Sequence, residues 1–135
     1  MWNHEEFIET SASSSRVWEL FSDVARWKDW NAGIDTIEIH GPFAVGTSFS
    51  MRPPGQDVLT STLVEVKPFE GFTDETVVGD TRVLVKHKLV QVSEGKTRII
   101  YSTEIAGPGA HEIGPMVTAD FRDVLASLKM RAEQM

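Results

Sequence analysis

Along most of this chain apolar and polar residues alternate, and in three places the alternation gives way to a helical period. Residues 2–10 (WNHEEFIET) read as a strand. Ser13 to Ser15 then offer N-caps to a short helix in which Val17, Leu20 and Phe21 fall at helical spacing, with Val24 one turn further on. Asp23 is placed to cap a second short helix over VARWKDW, where Trp27 and Trp30 lie one turn apart on one face and Gly33 marks the end. From Ile34 to Ile105 the pattern returns to period two and predicts strands over IDTIEIH, GTSFSMR, DVLTSTLVEVK, GFTDETVV, TRVLVKHKLVQV and KTRIIYSTEI. The links between them carry turn chemistry: Gly41-Pro42, Gly46, Pro53-Pro54-Gly55, Pro68 to Gly71, Gly79-Asp80 and Glu94-Gly95. After Gly107-Pro108-Gly109 a helix is predicted from about Pro115 to Glu133, with Val117, Phe121, Val124 and Leu128 as its apolar stripe and a length of roughly 28 Å.

Consecutive strands with short links favour an antiparallel meander. A sheet with one apolar face needs a cover, and the C-terminal helix is the element long enough to supply it. The expectation is therefore one α+β domain over residues 1–135, in which a curved antiparallel sheet of about seven strands encloses a long helix and leaves room for a pocket between them. Its 135 residues suit a single domain. With 13 basic and 20 acidic residues the net charge is −7, which makes nucleic acid a poor partner. The absence of cysteine removes disulfides, thiolate catalysis and thiolate zinc sites together. No basic segment followed by an apolar run opens the chain and no run of 18 apolar residues occurs, so no membrane segment and a cytoplasmic location are expected.

The last two predicted strands permit a registered argument. If Ser93-Glu94-Gly95 is a three-residue hairpin loop, Val92 pairs with Lys96 and His87 with Tyr101. One face then carries Val83, Val85, His87, Leu89, Thr97, Ile99, Tyr101, Thr103 and Ile105, and the other carries Lys86, Lys88, Arg98, Ser102 and Glu104. A two-residue turn that shifted the pairing by one would bring both lysines onto the apolar face, which burial rejects. His87, Tyr101 and Thr103 are thus the polar groups of an apolar inner face, able to satisfy one another, a water or a ligand. Asp120 sits in the helix stripe between Val117 and Phe121, an unusual place for a carboxylate; it lies either at the stripe's edge in water or, turned inward, within reach of pairing with His87 or Arg52.

The other candidates carry less. His4, His40, His87 and His111 have no metal-ligand spacing, so no metal and no cofactor are expected. The segment GPGAHEIG (107–114) does not match a dinucleotide-binding loop and reads as a hinge. Phe69 and Phe72 flank Gly71 and could gate an opening or simply pack, and no nucleophile-elbow motif is present.

Taken together, SSSRVWELFSDVARWKDWNAGI (13–34), VEVKPFEGF (64–72), VKHKLVQVSEGKTRIIYSTEIAGP (85–108) and LKMRAE (128–133) resemble the START-like, Bet v 1-like helix-grip superfamily, and most its polyketide cyclase/dehydrase branch. The resemblance spans essentially the whole chain and implies two short helices after the first strand that form a V supporting the sheet and one mouth of a cavity, with Trp27 and Trp30 anchoring that V or else touching a ligand. It implies fold far more than function, since such proteins include lipid and hormone binders, cyclases and co-chaperones. Three functions follow as expectations. The first is binding of a mainly apolar lipid, polyketide or aromatic-ring molecule, by a monomer or homodimer. Its lining would be Trp27, Trp30, Phe49, Met51, Val85, His87, Leu89, Ile99, Tyr101, Thr103, Val117, Asp120, Phe121, Val124 and Leu128. The second is a cyclase/dehydratase in which His87 or Asp120 moves a proton and Tyr101 hydrogen-bonds an enolate-like oxygen, with Arg52 and Arg82 the arginines nearest the relevant strands. The third is a co-chaperone-like interaction module, for which no large apolar surface stripe speaks.

Overall fold

A computed structural model describes residues 1–134. The elements are β1 (Trp2–Thr10), α1 (Ser14–Ser22), a 3₁₀ helix (Val24–Asp29), β2 (Thr36–Ile39), β3 (Ser48–Arg52), β4 (Leu59–Lys67), β5 (Gly71–Val78), β6 (Thr81–Ser93), β7 (Lys96–Ala106), α2 (Ala110–Thr118) and α3 (Phe121–Glu133). The strands form one seven-stranded sheet in the order β1-β7-β6-β5-β4-β3-β2, antiparallel throughout. The sheet curves around the C-terminal helices, which pack against β1 and β7, as the expected helix-grip architecture requires.

The N-terminal helices form for the reasons their sequence suggests, with one difference in detail. The Ser13 hydroxyl accepts the Arg16 N–H at 3.1 Å and caps α1, whose Val17 and Phe21 are fully buried. The Asp23 side chain, by contrast, caps nothing; its backbone carbonyl accepts the Arg26 N–H at 3.0 Å, and a tight turn takes the place of an α-helix. That turn closes at Trp30, whose N–H donates to the Trp27 carbonyl at 3.1 Å, three residues before Gly33.

The predicted pairing of β6 with β7 is found from Arg82 opposite Ala106 to Gln91 opposite Thr97, with His87 facing Tyr101. The hairpin tip differs. Ser93, and not Val92, pairs with Lys96; Gly95 at φ 76° makes a two-residue turn with Glu94, and the spare residue Val92 bulges out of the ladder. The bulge absorbs the one-residue offset, so the two faces keep their predicted contents. Lys88 is exposed and Lys86 reaches Glu104 at 3.4 Å on the outer face.

The C-terminal helix begins earlier than Pro115 and is interrupted. Helix α2 starts at Ala110, so the segment expected to be a hinge is largely helical. Thr81 Oγ1 accepts the Gly109 N–H at 3.0 Å, and the Trp2 indole lies on Gly114 so closely that a Cβ there would be 2.4 Å from its ring. The helix stops after Thr118. Pro115 supplies no N–H to the ladder, and the Thr118 hydroxyl bonds back to the Gly114 carbonyl at 3.1 Å. Asp120 leaves helical geometry at φ −105°, ψ 3°, and its carbonyl restarts the ladder by accepting the Val124 N–H at 2.9 Å. Phe121, Val124 and Leu128 are buried as predicted, and Val117 is half-buried.

The entry to β5 depends on Gly71. It has φ 149°, and a Cβ there would lie 2.2 Å from the His87 carbonyl oxygen. Gly71→Ala should lower unfolding free energy by about 2–4 kcal/mol, from backbone strain and displacement of β6 together. Urea unfolding of the two proteins side by side measures this, and a loss under about 1 kcal/mol would show that β6 yields easily at this point.

Candidate functional site

A chain of ring contacts runs from the 3₁₀ helix across the inner face to α3. Trp27 stacks near Phe72 (centroids 5.6 Å apart), Phe72 lies face to face with His87 (4.0 Å, planes 8° apart), His87 meets Tyr101 edge-on (4.6 Å), and Tyr101 meets Phe121 edge-on (5.6 Å). Strand alternation makes this possible: Phe72, His87 and Tyr101 are directly opposed residues on β5, β6 and β7. The Trp27 indole N–H donates to the Phe21 carbonyl at 2.9 Å, so this tryptophan is held by the protein itself. Trp30 is buried beside it with centroids 6.2 Å apart.

The same alternation places on the inner face a carboxylate that is absent from the expected lining. Asp74 is two residues beyond Phe72, opposite Val85 on β6 and Leu63 on β4. Its Oδ2 is 4.0 Å from His87 Nδ1, and both side chains are only 10% exposed. The signal for it is the Gly79-Asp80 dipeptide. A two-residue turn there pairs Val78 with Thr81, and counting back puts Asp74 beside Val85, facing in.

Burial sets the protonation of this group. Desolvation raises Asp74 to about 7 and lowers His87 to about 3, the latter partly opposed by a 3.4 Å contact from Nδ1 to the Phe72 carbonyl. At neutral pH the imidazole is therefore uncharged. With Nδ1–H directed at that carbonyl, Nε2 is the free acceptor. Tyr101 is pushed well above the usual phenol range by burial first and then by Asp74 and Asp120. No side-chain hydrogen bond holds the Asp74 carboxylate or the Tyr101 hydroxyl among the described residues. No completely sealed side-chain polar atom among the described residues lacks a partner, so the Asp74 and Tyr101 oxygens keep a trace of exposure. Thr103, by contrast, is satisfied, donating to the Leu84 carbonyl at 2.7 Å.

Asp120 pairs with neither His87 nor Arg52 among the described residues. It sits half-buried at the break between α2 and α3, with its Oδ2 2.9 Å from where a Gly33 Cβ would be and the Asn31 side chain alongside. Desolvation raises its pKa, and Asp123 adds to the shift. The two arginines are on the outer face, Arg52 bonded to Asp35 and Arg82 to Glu75, because both occupy outward positions in their strands. Of the expected lining, Phe49, Leu89, Ile99, Val124 and Leu128 are buried in the main core, while Met51, Val85 and Val117 are half-buried and border it. Phe72 belongs to the same core, and Phe69 is exposed at φ 67° in the turn before it. A groove of about 300 Å³ lies along the β5–β6 pair among Glu65, Lys67, Gly71, Phe72, Thr73, Lys86, His87 and Lys88, and another depression lies between residues 11–16 and 132–134.

A sheet that grips a C-terminal helix around buried polar groups is the setting in which the relatives can be compared. The family model described as "Polyketide cyclase / dehydrase and lipid transport" matches residues 1–133. The chain belongs to this family. Norcoclaurine synthase from Thalictrum flavum has a similar structure, with TM-score 0.80 at 16% identity over 99% of this chain and 87% of that one. A protein from Nitrosospira multiformis superposes with TM-score 0.76 at 17% identity, covering 98% of this chain and 97% of that one. DynU16, from the dynemicin biosynthetic locus, gives TM-score 0.76 at 18% identity, with 98% of this chain covering 47% of that one. At these identities the likeness is one of fold. No curated protein matches by sequence.

Within this cyclase/dehydrase-family interior, Asp74 and His87 oppose each other in their effect on stability. Asp74 binds its proton more tightly when folded, so its contribution is full below about 3.8 and is lost as pH rises to about 7. His87 binds its proton less tightly when folded, so its contribution is present above about 6.5 and is lost as pH falls toward about 3. Between about pH 4 and 6.5 the two slopes offset. Relative to wild type, Asp74→Asn should therefore gain stability as pH rises across this window, and His87→Gln should gain it as pH falls, each by up to about 1.4 kcal/mol per pH unit. Urea unfolding at half-unit pH intervals checks the signs. Parallel profiles for all three proteins would mean that neither group is held out of water.

Proposed function

We propose that this protein binds a small, mainly apolar molecule with a ring or acyl body against the inner face of the sheet, where Asp74, His87 and Tyr101 orient its polar end. One observation carries the reading. The Tyr101 hydroxyl and the Asp74 carboxylate are nearly buried and make no side-chain hydrogen bond among the described residues; His87 and Phe121 lie against Tyr101, and the half-buried Val85 stands opposite Asp74. Family membership supports it, as does a related fold: norcoclaurine synthase has been seen in complex with dopamine and hydroxybenzaldehyde, both ring compounds. Trp27, Trp30, Phe49 and Ile99 serve in this reading mainly as the wall behind the ligand. The protein acts in the cytoplasm as a monomer or homodimer; no helix among the described residues is long and apolar enough to cross a membrane.

A second reading has its own observation. The Nδ1 edge of a neutral imidazole stands 4.0 Å from a carboxyl that burial raises to about 7, a group able to take or give a proton near neutral pH beside a hydrogen-bonding ring. A cyclase/dehydratase would use them in this way, with Tyr101 donating to an enolate-like oxygen. Thermal-shift screening of ring compounds and acyl chains supplies a ligand, and affinity and product formation are then measured for His87→Gln and Tyr101→Phe. For binding alone, each substitution should cost about 1–2 kcal/mol of affinity, the scale of one buried hydrogen bond. If His87 moves a proton, His87→Gln should cut turnover by about 10²–10⁴-fold at nearly unchanged affinity. Affinity and turnover both untouched would remove these residues from the site.

A further inference from the structure

The inner face carries carboxyl groups with no arginine or lysine turned toward them. Asp74 projects from β5 into the core, and Asp120 closes in from the helix break. His87 on β6 is neutral, and Tyr101 on β7 keeps its proton. From β1 the inner face adds His4 and Glu6, which bond each other at 2.7 Å, and Glu6 also receives Arg122 of α3 at 3.2 Å; Arg122 itself is 85% exposed, so that group is a satisfied rim. The remaining cations near these strands point outward: Arg52 to Asp35, Arg82 to Glu75, Lys86 to Glu104 and Arg98 to Glu9.

Resting on the binding function proposed above, we infer that the ligand carries an amine: an apolar ring with a short cationic arm, its ammonium seated on the Asp74 carboxylate. Three chemistries can be compared at this position. A ligand carboxylate would enter beside Asp74 and Asp120 with no cation to receive it, and like charges at low dielectric repel. A neutral ring would leave Asp74 protonated and add no charge-assisted bond. An ammonium supplies the missing donors to a carboxylate that makes no side-chain hydrogen bond of its own among the described residues. Because Asp74 holds a proton up to about 7, amine binding must expel that proton at lower pH.

The test uses three probes of matched length: 3-phenylpropylamine, 3-phenylpropan-1-ol and 3-phenylpropanoate, titrated calorimetrically into the full chain near pH 6 and pH 8. In wild type at the higher pH the amine should bind about tenfold or more tighter than the alcohol, as a charged hydrogen bond requires, and the acid should bind weakest. The amine's affinity should fall about tenfold between the higher and the lower pH while the alcohol's stays level. Asp74→Asn should abolish both the preference and its pH dependence, and Asp120→Asn should retain them. Alcohol or acid binding as tightly as the amine, or a preference lost in Asp120→Asn and kept in Asp74→Asn, overturns the inference while leaving ring binding intact. Failure of all three probes, together with the wider ring and acyl series, would bring down both. The selectivity and pH comparisons need wild type alone, so they remain decisive even if an Asp74 variant fails to fold.

Discussion

The face-to-face contact between Phe72 and His87 is the constraint on which the interior depends. A 4.0 Å ring stack on directly opposed strands requires that β5 and β6 hold one register, and Gly71 lets the backbones come together just before it. Covered by Phe72 on one side and edged by Phe21 and Tyr101, the imidazole has little water to solvate a charge. Its neutrality is a result of packing, and the chemistry available to the site follows from that.

Charge is sorted by strand parity. Every arginine and lysine that β3, β6 and β7 contribute to an ion pair points outward, while the inner face keeps carboxyl, phenol and neutral imidazole. The cost of hiding Asp74 from water is met by holding its proton. A protein with net charge −7 thus extends its acidity inward at one point, and at that point the acid is mostly unexpressed until something stabilises the anion.

Much of this is legible in the chain, because period two is a strict rule. Once Lys86 and Lys88 are assigned to water, His87 turns to the inner face, where Tyr101 is found opposite it. The hairpin tip escapes such counting, since a bulge and a longer loop present the same faces further along the strand. The break at Asp120 follows the turn in which the Thr118 hydroxyl bonds back to the Gly114 carbonyl, a local contact that an apolar stripe does not reveal. Asp74 is within reach by counting from Gly79-Asp80, whereas its freedom from hydrogen bonds, and the pairing of Arg52 with Asp35, depend on three-dimensional neighbours.

The sheet order has a consequence for how the chain acquires its structure. Strand β1 is made first but pairs with β7, the last strand, with Trp2 opposite Ile105. At a synthesis rate of roughly 5–20 residues per second, β1 waits on the order of 5–20 s for its partner to be made. Throughout that interval the meander from β2 can zip up locally, but its closing edge cannot form, and neither helix of the C-terminal cover exists. Loop closure across the whole domain is therefore left to the end, so this small protein should fold late on the ribosome and slowly for its size.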